Sequence, residues 1–355
     1  MAGRPSLPFR RSGRLKAKTV TLAHGGGGKA MRDLIDDVFV AAFENPAMGE
    51  LEDQARLDMA ELLPDGGRLA FTTDSFVVDP IVFPGGDIGQ LAVWGTVNDL
   101  AVGGATPLWL SAAFIIEEGF DVEALRKIAA SMRAAADESG VAIVTGDTKV
   151  VGRGAADKLF ITTAGIGVIP PGLDLTARAI QPGDRVLVNG RLGEHGAAIL
   201  AARGEVELET AVESDCRPLH SLVAALLEAA PSTRALRDAT RGGVAAVLNE
   251  MAVAAAVGIT LEETALPIRR DVTGFCEILG LDPLYLANEG LLVAFVPDEQ
   301  AQAALAAMRS HPAGEAATII GVVTTNRRGT VDMNTAFGGT RIVDMLIGEQ
   351  LPRIC

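Results

Sequence analysis

Cysteine is scarce in this chain of 355 residues: Cys216, Cys276 and Cys355 are all it has. They share no metal-ligand spacing, and an odd count argues against a disulfide framework, which suits a reducing, cytoplasmic compartment. Aromatic residues make up only 4%, so the 48% apolar content rests largely on alanine and valine. No run of 18 or more apolar residues occurs, which argues against a transmembrane span. Positive charge is also short, at 31 basic against 45 acidic residues for a net charge of −14. Residues 1–18 hold six of the basic residues and no acidic one, leaving 25 against 45 in the body. An acidic body argues against nucleic-acid binding and suits a protein that handles divalent cations. The basic arm lacks an apolar core segment, so it is not a secretory signal; it reads as a disordered extension or a docking arm.

The length favours two domains and the apolar content a substantial core. "TVTLA" at 19–23 suits a short strand, whereas "HGGGGK" at 24–29 cannot hold regular structure because four glycines are costly to order. A helical pattern follows up to Pro46. Strand-like "RLAFTTDSFVV", helical "DIGQLAVWGTVNDLAVGGA", strand-like "PLWLSAAFIIE" and the amphipathic helix "DVEALRKIAASMRAAADESG" then alternate. "VAIVTGDTKVV" reads as a strand running into a loop, and "LFITTAGIGVI" as a strand closing this half. In the second half, "PGDRVLVNG" begins with a turn and a buried strand. Helices are expected near 195–203 and 218–229, and "LRDATRGGVAAVLNEMAVAA" as a loop opening a helix at its glycine pair. "GITLEE" and "GLLVAFV" suit strands and "DEQAQAALAAMRSH" a helix. The expected organisation is an extension at 1–18, α/β-type (mixed α+β) domains at 19–170 and 171–335, and a mobile tail at 336–355. From Gly339 to Cys355 is 16 residues, a reach of roughly 55 Å when extended.

Four stretches could carry chemistry. "HGGGGK" is not a Walker A loop, because Ala23 and Ala30 stand where glycine and Ser or Thr are required. It suits a phosphate lid, with Gly27, Gly28 and Lys29 meeting polyphosphate oxygens, or a plain glycine linker. Asp74, Asp99 and Asp238 fall where strands end or helices begin; gathered together they would suit a hard cation such as magnesium, and singly they suit turns and caps. Asp99 lies in an apolar helical pattern, where a bare carboxylate is costly. Arg241, Gly242 and Gly243 open a helix, suiting either an anion or a tight helix–sheet contact. Asp147 and Lys149 follow an apolar strand and Glu289 precedes one, positions suited to catalysis or to turns. A terminal thiol at Cys355 is a liability unless something uses it.

In order, "HGGGGKAM", "TTDSFVV", "NDLAVGGA", "GDTKVV", "RDATRGGVA", "NEG" and terminal "PRIC" make the chain from about residue 19 resemble the HypE family of hydrogenase maturation proteins. That family lies within the ATP-binding superfamily of aminoimidazole ribonucleotide synthetase, selenophosphate synthetase and thiamine-monophosphate kinase. The resemblance implies a two-domain fold like that of aminoimidazole ribonucleotide synthetase (PurM-like), with N-terminal domains paired in a homodimer. It implies ATP and Mg2+, with Asp74, Asp99 and Asp238 on the metal, Lys29 in the lid, and Asp147 and Lys149 near the reacting end of the nucleotide. It also implies that a HypF-type carbamoyltransferase loads Cys355, that ATP drives dehydration of the carbamoyl group to a thiocyanate, and that cyanide passes to a HypC–HypD complex. Glu289 would act as base, with Lys149 orienting the carbamoyl group. The alternatives are another kinase or synthase of the same superfamily, and a non-catalytic scaffold presenting a cysteine.

Overall fold

The computed structural model describes residues 15–26, 29–46, 57, 59, 62–63, 65–204, 212–345 and 353–355. The calls at Gly27 and Gly28, and on most of the basic arm, lie outside these residues. Leu15 to Lys18, expected in the extension, are attached: the Leu15 N–H donates to Asp37, and the Val122 N–H to the Lys18 carbonyl. Residues 19–23 do not form a strand. Thr19 makes one bridge to Asp121, and Leu22–Gly25 form a 3-10 turn in which His24 is buried with its Nδ1 against Thr21. Lys29–Leu34 (α1), a π-helical stretch Ile35–Val40 and Ala41–Phe43 (α2) follow.

Strands β1 (Arg68–Phe76), β4 (Thr106–Glu117), β5 (Ala142–Val151) and β6 (Leu159–Ile169) form a four-stranded sheet of order β1-β6-β4-β5; β2 (Val82–Phe83) and β3 (Gly86–Asp87) form a separate hairpin. Only β4 and β5 are parallel, and α4 (Val122–Ser139) crosses over between them. It stops at Gly140 in the left-handed region, as its sequence predicts. β5 stays in the sheet through "GDTKVV", contrary to the expected loop, because β4 is long enough to pair with it throughout.

Helix α3 (Ile88–Val102) is capped by the Asp87 side chain, which accepts from the Gly89 and Gln90 N–H groups. It is apolar almost all round, the pattern of a helix covered on every side. One side packs on the four-stranded sheet and the other on α6 (His220–Ala229) and β8 (Ala235–Asp238) of the second half. Among the described residues the opposite face of the sheet is left open, with Leu69, Phe71 and Ile115 exposed.

The second half is built on a seven-stranded sheet of order β13-β12-β9-β11-β7-β10-β8. Its members are β7 (Arg185–Val188), β8, β9 (Gly258–Glu262), β10 (Leu292–Val296), β11 (Thr318–Thr324), β12 (Val331–Asn334) and β13 (Thr340–Val343). Helices α5 (Glu194–Arg203), α6, α7 (Gly243–Ala255), α8 (Arg270–Leu279) and α9 (Asp298–Arg309) complete it. "LRD" before the glycine pair is strand rather than loop, since β10 pairs with it along its length. The segment expected as tail from 336 also departs from expectation. Thr340–Val343 adds the edge strand of the sheet, and Arg353, Ile354 and Cys355 are docked against the first half.

Candidate active site

Three aspartates meet because α3 is shared between the halves. Asp74 projects from β1 on the face that carries α3, where the Thr72 hydroxyl donates to Asp99 at 2.8 Å. Asp238 ends β8, which packs on the other side of the same helix. Burial raises the Asp74 carboxyl to about 6, helped by the charge of Asp99 and a hydrogen bond to it, while Arg241 opposes the rise. Burial and then the charge of Asp99 raise Asp238 to about 7. Carboxylates pressed together, with Arg241 only partly offsetting their charge, are suitable donors for a hard cation. Among the described residues no three His, Cys, Asp or Glu groups form a metal cage. The three carboxylates supply oxygen donors of the kind a hard cation takes without forming a cage by themselves.

Glu289 faces this cluster from the loop before β10. It is 4% exposed, and its Oε1 has no hydrogen-bond partner among the described residues. Burial pushes its carboxyl well above the usual range, reinforced by Asp215, Asp238 and Asp74 and opposed by Arg241. A buried unpartnered carboxyl needs support, and Asp215 supplies it. The Asp215 carboxylate accepts from Asn288 Nδ2 at 2.8 Å, the Glu289 N–H at 3.0 Å and the Gly290 N–H at 3.1 Å. A Cβ at Gly290 would lie 1.9 Å from the Asp215 carbonyl oxygen, so the loop approaches too closely for a side chain there. Asn98, on α3, donates to the carbonyls of Arg217 and Glu289 and accepts from the Leu219 N–H, tying the loop to the aspartate helix. Asp215 was not singled out from the sequence, where it stands in a charged stretch with nothing to set it apart.

The glycine pair serves geometry as well as the helix end. Gly242 has φ 75° and Gly243 φ 60°, and a Cβ on Gly243 would lie 2.5 Å from the carbonyl oxygens of Leu284 and Leu286. Arg241 is exposed beside the pair and acts electrostatically on both Asp74 and Glu289. Lys29 is exposed at the start of α1.

Asp147 and Lys149 do not join this cluster within the chain. Across the sheet Asp147 lies beside Ala113, Ala113 beside Thr162 and Thr162 beside Ser75, so Asp147 shares a face with Ser75 and points away from Asp74. Lys149 lies beside Ile115 on the same open face.

The C-terminus runs beside the segment after β1. The Val77 N–H donates to the Cys355 terminal carboxylate at 3.1 Å and the Asp79 N–H to the Arg353 carbonyl at 3.2 Å. Arg353 pairs with Asp157 and Asp79, and Arg203 donates to the carbonyls of Asp79 and Arg353. Ile354 is buried, and Cys355 packs half-buried on the large apolar cluster built mainly from the first half. The Ile354 carbonyl bonds to His195 Nε2, and His195 Nδ1 bonds to Ser214, the neighbour of Asp215. Burial, then Glu289, Asp215 and Asp87, pushes the Cys216 thiol well up, and burial followed by Asp282 pushes Cys276 up to about 11. Both are interior thiols, as their sequence settings suggest.

Two sheets bridged by one aspartate-bearing helix are matched by family models. Residues 52–169 match the N-terminal domain, and residues 181–334 the C-terminal domain, of AIR synthase related protein. The chain belongs to that family. A carbamoyl dehydratase HypE from Rhodobacter capsulatus is 63% identical over 341 residues, covering 96% of this chain and 99% of the relative. A hydrogenase maturation protein HypE solved in complex with ATP has a TM-score of 0.89 at 49% identity, covering 94% of this chain and 99% of that one. The structure of a HypE–HypF complex gives 0.76 at 48%, covering 88% and 99%. Within the wider family, this chain is a member of the HypE group.

Proposed function

We propose that the chain is a carbamoyl dehydratase that converts a carbamoyl group on its own Cys355 to a thiocyanate at the expense of ATP, supplying cyanide for nickel–iron hydrogenase maturation. The observation that carries this reading is the docked terminus. Its carboxylate is held at Val77, three residues along the chain from Asp74, and the preceding Ile354 carbonyl is bonded to the buried His195.

The carbamoyl oxygen attacks the γ-phosphorus of ATP, and ADP leaves. The O-phosphorylated product loses one N–H proton to become a neutral-nitrogen imidate, and the second N–H proton leaves as the C–O bond breaks, giving S–C≡N and inorganic phosphate. Oxygen is a poor leaving group from a carboxamide and phosphate a good one, which is what the nucleotide supplies. Glu289 takes the second N–H proton. Its raised affinity for protons makes its carboxylate a stronger base than an exposed one, and its unpartnered Oε1 leaves an acceptor available. Asp74, Asp99 and Asp238 would hold Mg2+, which offsets phosphate charge when bound. Arg241 and the Gly242–Gly243 turn, with Lys29, Gly27 and Gly28 in the lid, complete the nucleotide pocket.

Asp147 and Lys149 are assigned to a pocket completed by a second copy. The open sheet face they share with Phe71 and Ile115 is the one expected to pair in a homodimer. The HypE of the solved HypE–HypF complex supports a HypF-type partner as donor of the carbamoyl group, and a HypC–HypD complex is assigned as acceptor of the cyanide. No helix of the described residues is long and apolar enough to cross a membrane; with thiol chemistry at Cys355, the reading places the protein in the cytoplasm. Mass spectrometry of the C-terminal peptide tests the function. After loading, Cys355 gains one carbamoyl group, and adding ATP removes one water from it. Cys355→Ser keeps ATP binding and forms no nitrile; a nitrile on the Ser variant, or a carbamoyl group unchanged by ATP, overturns the reading.

A further inference from the structure

His195 is fully buried near the start of α5, and the reaction described above makes no use of it. Its surroundings fix its hydrogen-bonding roles. A carbonyl oxygen can only accept, so Nε2 carries the proton that it donates to the Ile354 carbonyl at 2.7 Å. Nδ1 then accepts from the Ser214 hydroxyl at 2.7 Å, and Ser214 Oγ accepts in turn from the Cys216 N–H at 3.1 Å. Burial holds the imidazole below its usual range, opposed by the Ile354 bond and by the charge of Asp215, which suits a neutral ring donating on one side and accepting on the other.

Four segments distant in sequence meet here. Phe83 packs edge-on against the imidazole with centroids 5.5 Å apart, and the Ser214 N–H donates to the Pro84 carbonyl at 2.8 Å. A Cβ on Gly85 would lie 2.7 Å from Ser214 backbone atoms, so the first half is pressed against this loop. The tail therefore docks on a junction of both halves. The loop that reaches the histidine through Ser214 also carries Asp215, the anchor of Glu289.

The tail is also held by the Val77 and Asp79 N–H groups and by Arg203, and its ion pairs differ in kind from the His195 bond. Arg353 pairs with Asp157 and Asp79 at the surface, where such pairs contribute little and are screened by salt. The His195 bond is buried, and breaking it leaves both an imidazole N–H and the Ile354 carbonyl unsatisfied unless water enters. We propose that His195, with its tautomer set by Ser214, is a positioning residue that clamps Ile354 and thereby holds Cys355 in its docked position. The side chain acts through the tail backbone and touches no reacting atom. For its catalytic consequence the inference rests on Cys355 as carrier of the reacting group; for docking it does not.

Hydrogen exchange at the Val77 and Asp79 amides of the full-length protein reads docking directly, because both donate to the tail. His195→Phe keeps a ring against Phe83 and removes the donor, whereas His195→Gln keeps a donor near the Nε2 position. Exchange at both amides is expected to rise about fivefold to tenfold in the Phe variant, with α3 amides unchanged, and to return to within about twofold of the parent in the Gln variant. Single-turnover dehydration of carbamoylated Cys355 slows by a similar factor in the Phe variant, with ATP affinity unchanged. If α3 also loses protection in the Phe variant, Ser214→Ala carries the test, with a rise of about threefold expected. Unchanged exchange in the informative variant, or a Gln variant as fast as Phe, overturns the proposal. Normal tail protection in the parent protein together with failed dehydration counts instead against the proposed activity.

Discussion

Neutralising Asp238 should stabilise the nucleotide-free protein at alkaline pH while weakening magnesium-nucleotide binding. Burial and the neighbouring Asp99 raise this carboxyl from the ordinary 3.8 to about 7. The folded state therefore binds the proton more tightly than the unfolded chain, so the stability contributed is complete below about pH 4 and is lost as pH rises through about 7. That difference amounts to ~4 kcal/mol in full, of which roughly 2–3 kcal/mol is lost between pH 5 and pH 8. Asp74, raised to about 6, adds a loss of the same sign at slightly lower pH. Asp238→Asn removes the first contribution outright and relieves some of the second, since Asp238 and Asp74 repel each other. Urea unfolding in EDTA at pH 5, 6, 7 and 8 should show a stability–pH slope that is steep in the parent and much flatter in the variant. The curves should diverge most at pH 8, where the variant is the more stable. Parallel curves would refute the reasoning, because they would mean that Asp238 titrates as an exposed carboxylate.

Two further substitutions probe the loop and the helix entry. Asp215→Asn leaves the shape but cannot accept from all three donors around it, so one or two charge-assisted bonds of about 1.5–3 kcal/mol each are lost. Exchange of the Glu289 and Gly290 amides should accelerate and dehydration slow. The acidic limb of the rate profile should also move to lower pH, because the Asp215 charge helps hold the Glu289 carboxyl up; a limb that stays in place would argue against Glu289 as the base. Gly243→Ala forces a side chain into φ 60° and within 2.5 Å of two carbonyl oxygens, which should destabilise by about 2–5 kcal/mol in urea unfolding. A loss under about 1 kcal/mol would show that the close approach is not rigid.

Much of the local structure was written in short-range pattern. The glycine stop after Ser139 and the alternating apolar strands needed only neighbouring residues to be read, and so did the all-apolar α3. Errors fell where a distant partner decides. "GDTKVV" stays extended because β4 runs beside it, and "LRD" is strand because β10 pairs with it. Residues 340–343 leave the expected tail because β12 offers them an edge. Side-chain facing was equally beyond a linear reading: strand parity turns Asp147 and Lys149 to the open face, away from Asp74.

The sequence by itself determined which chemical groups are present and in what order, including three aspartates, a glycine pair, the "NEG" carboxylate and a final thiol. Only the tertiary structure decided which of them share a space. Asp74, Asp99 and Asp238 come from three segments and meet because one apolar helix is buried between two sheets. Asp215, His195 and Ser214 acquire their roles only because chain folding brings buried donors and acceptors together that must satisfy one another. Hydrogen bonds of that kind join residues as much as 191 positions apart, and no local pattern in a sequence encodes such a pairing.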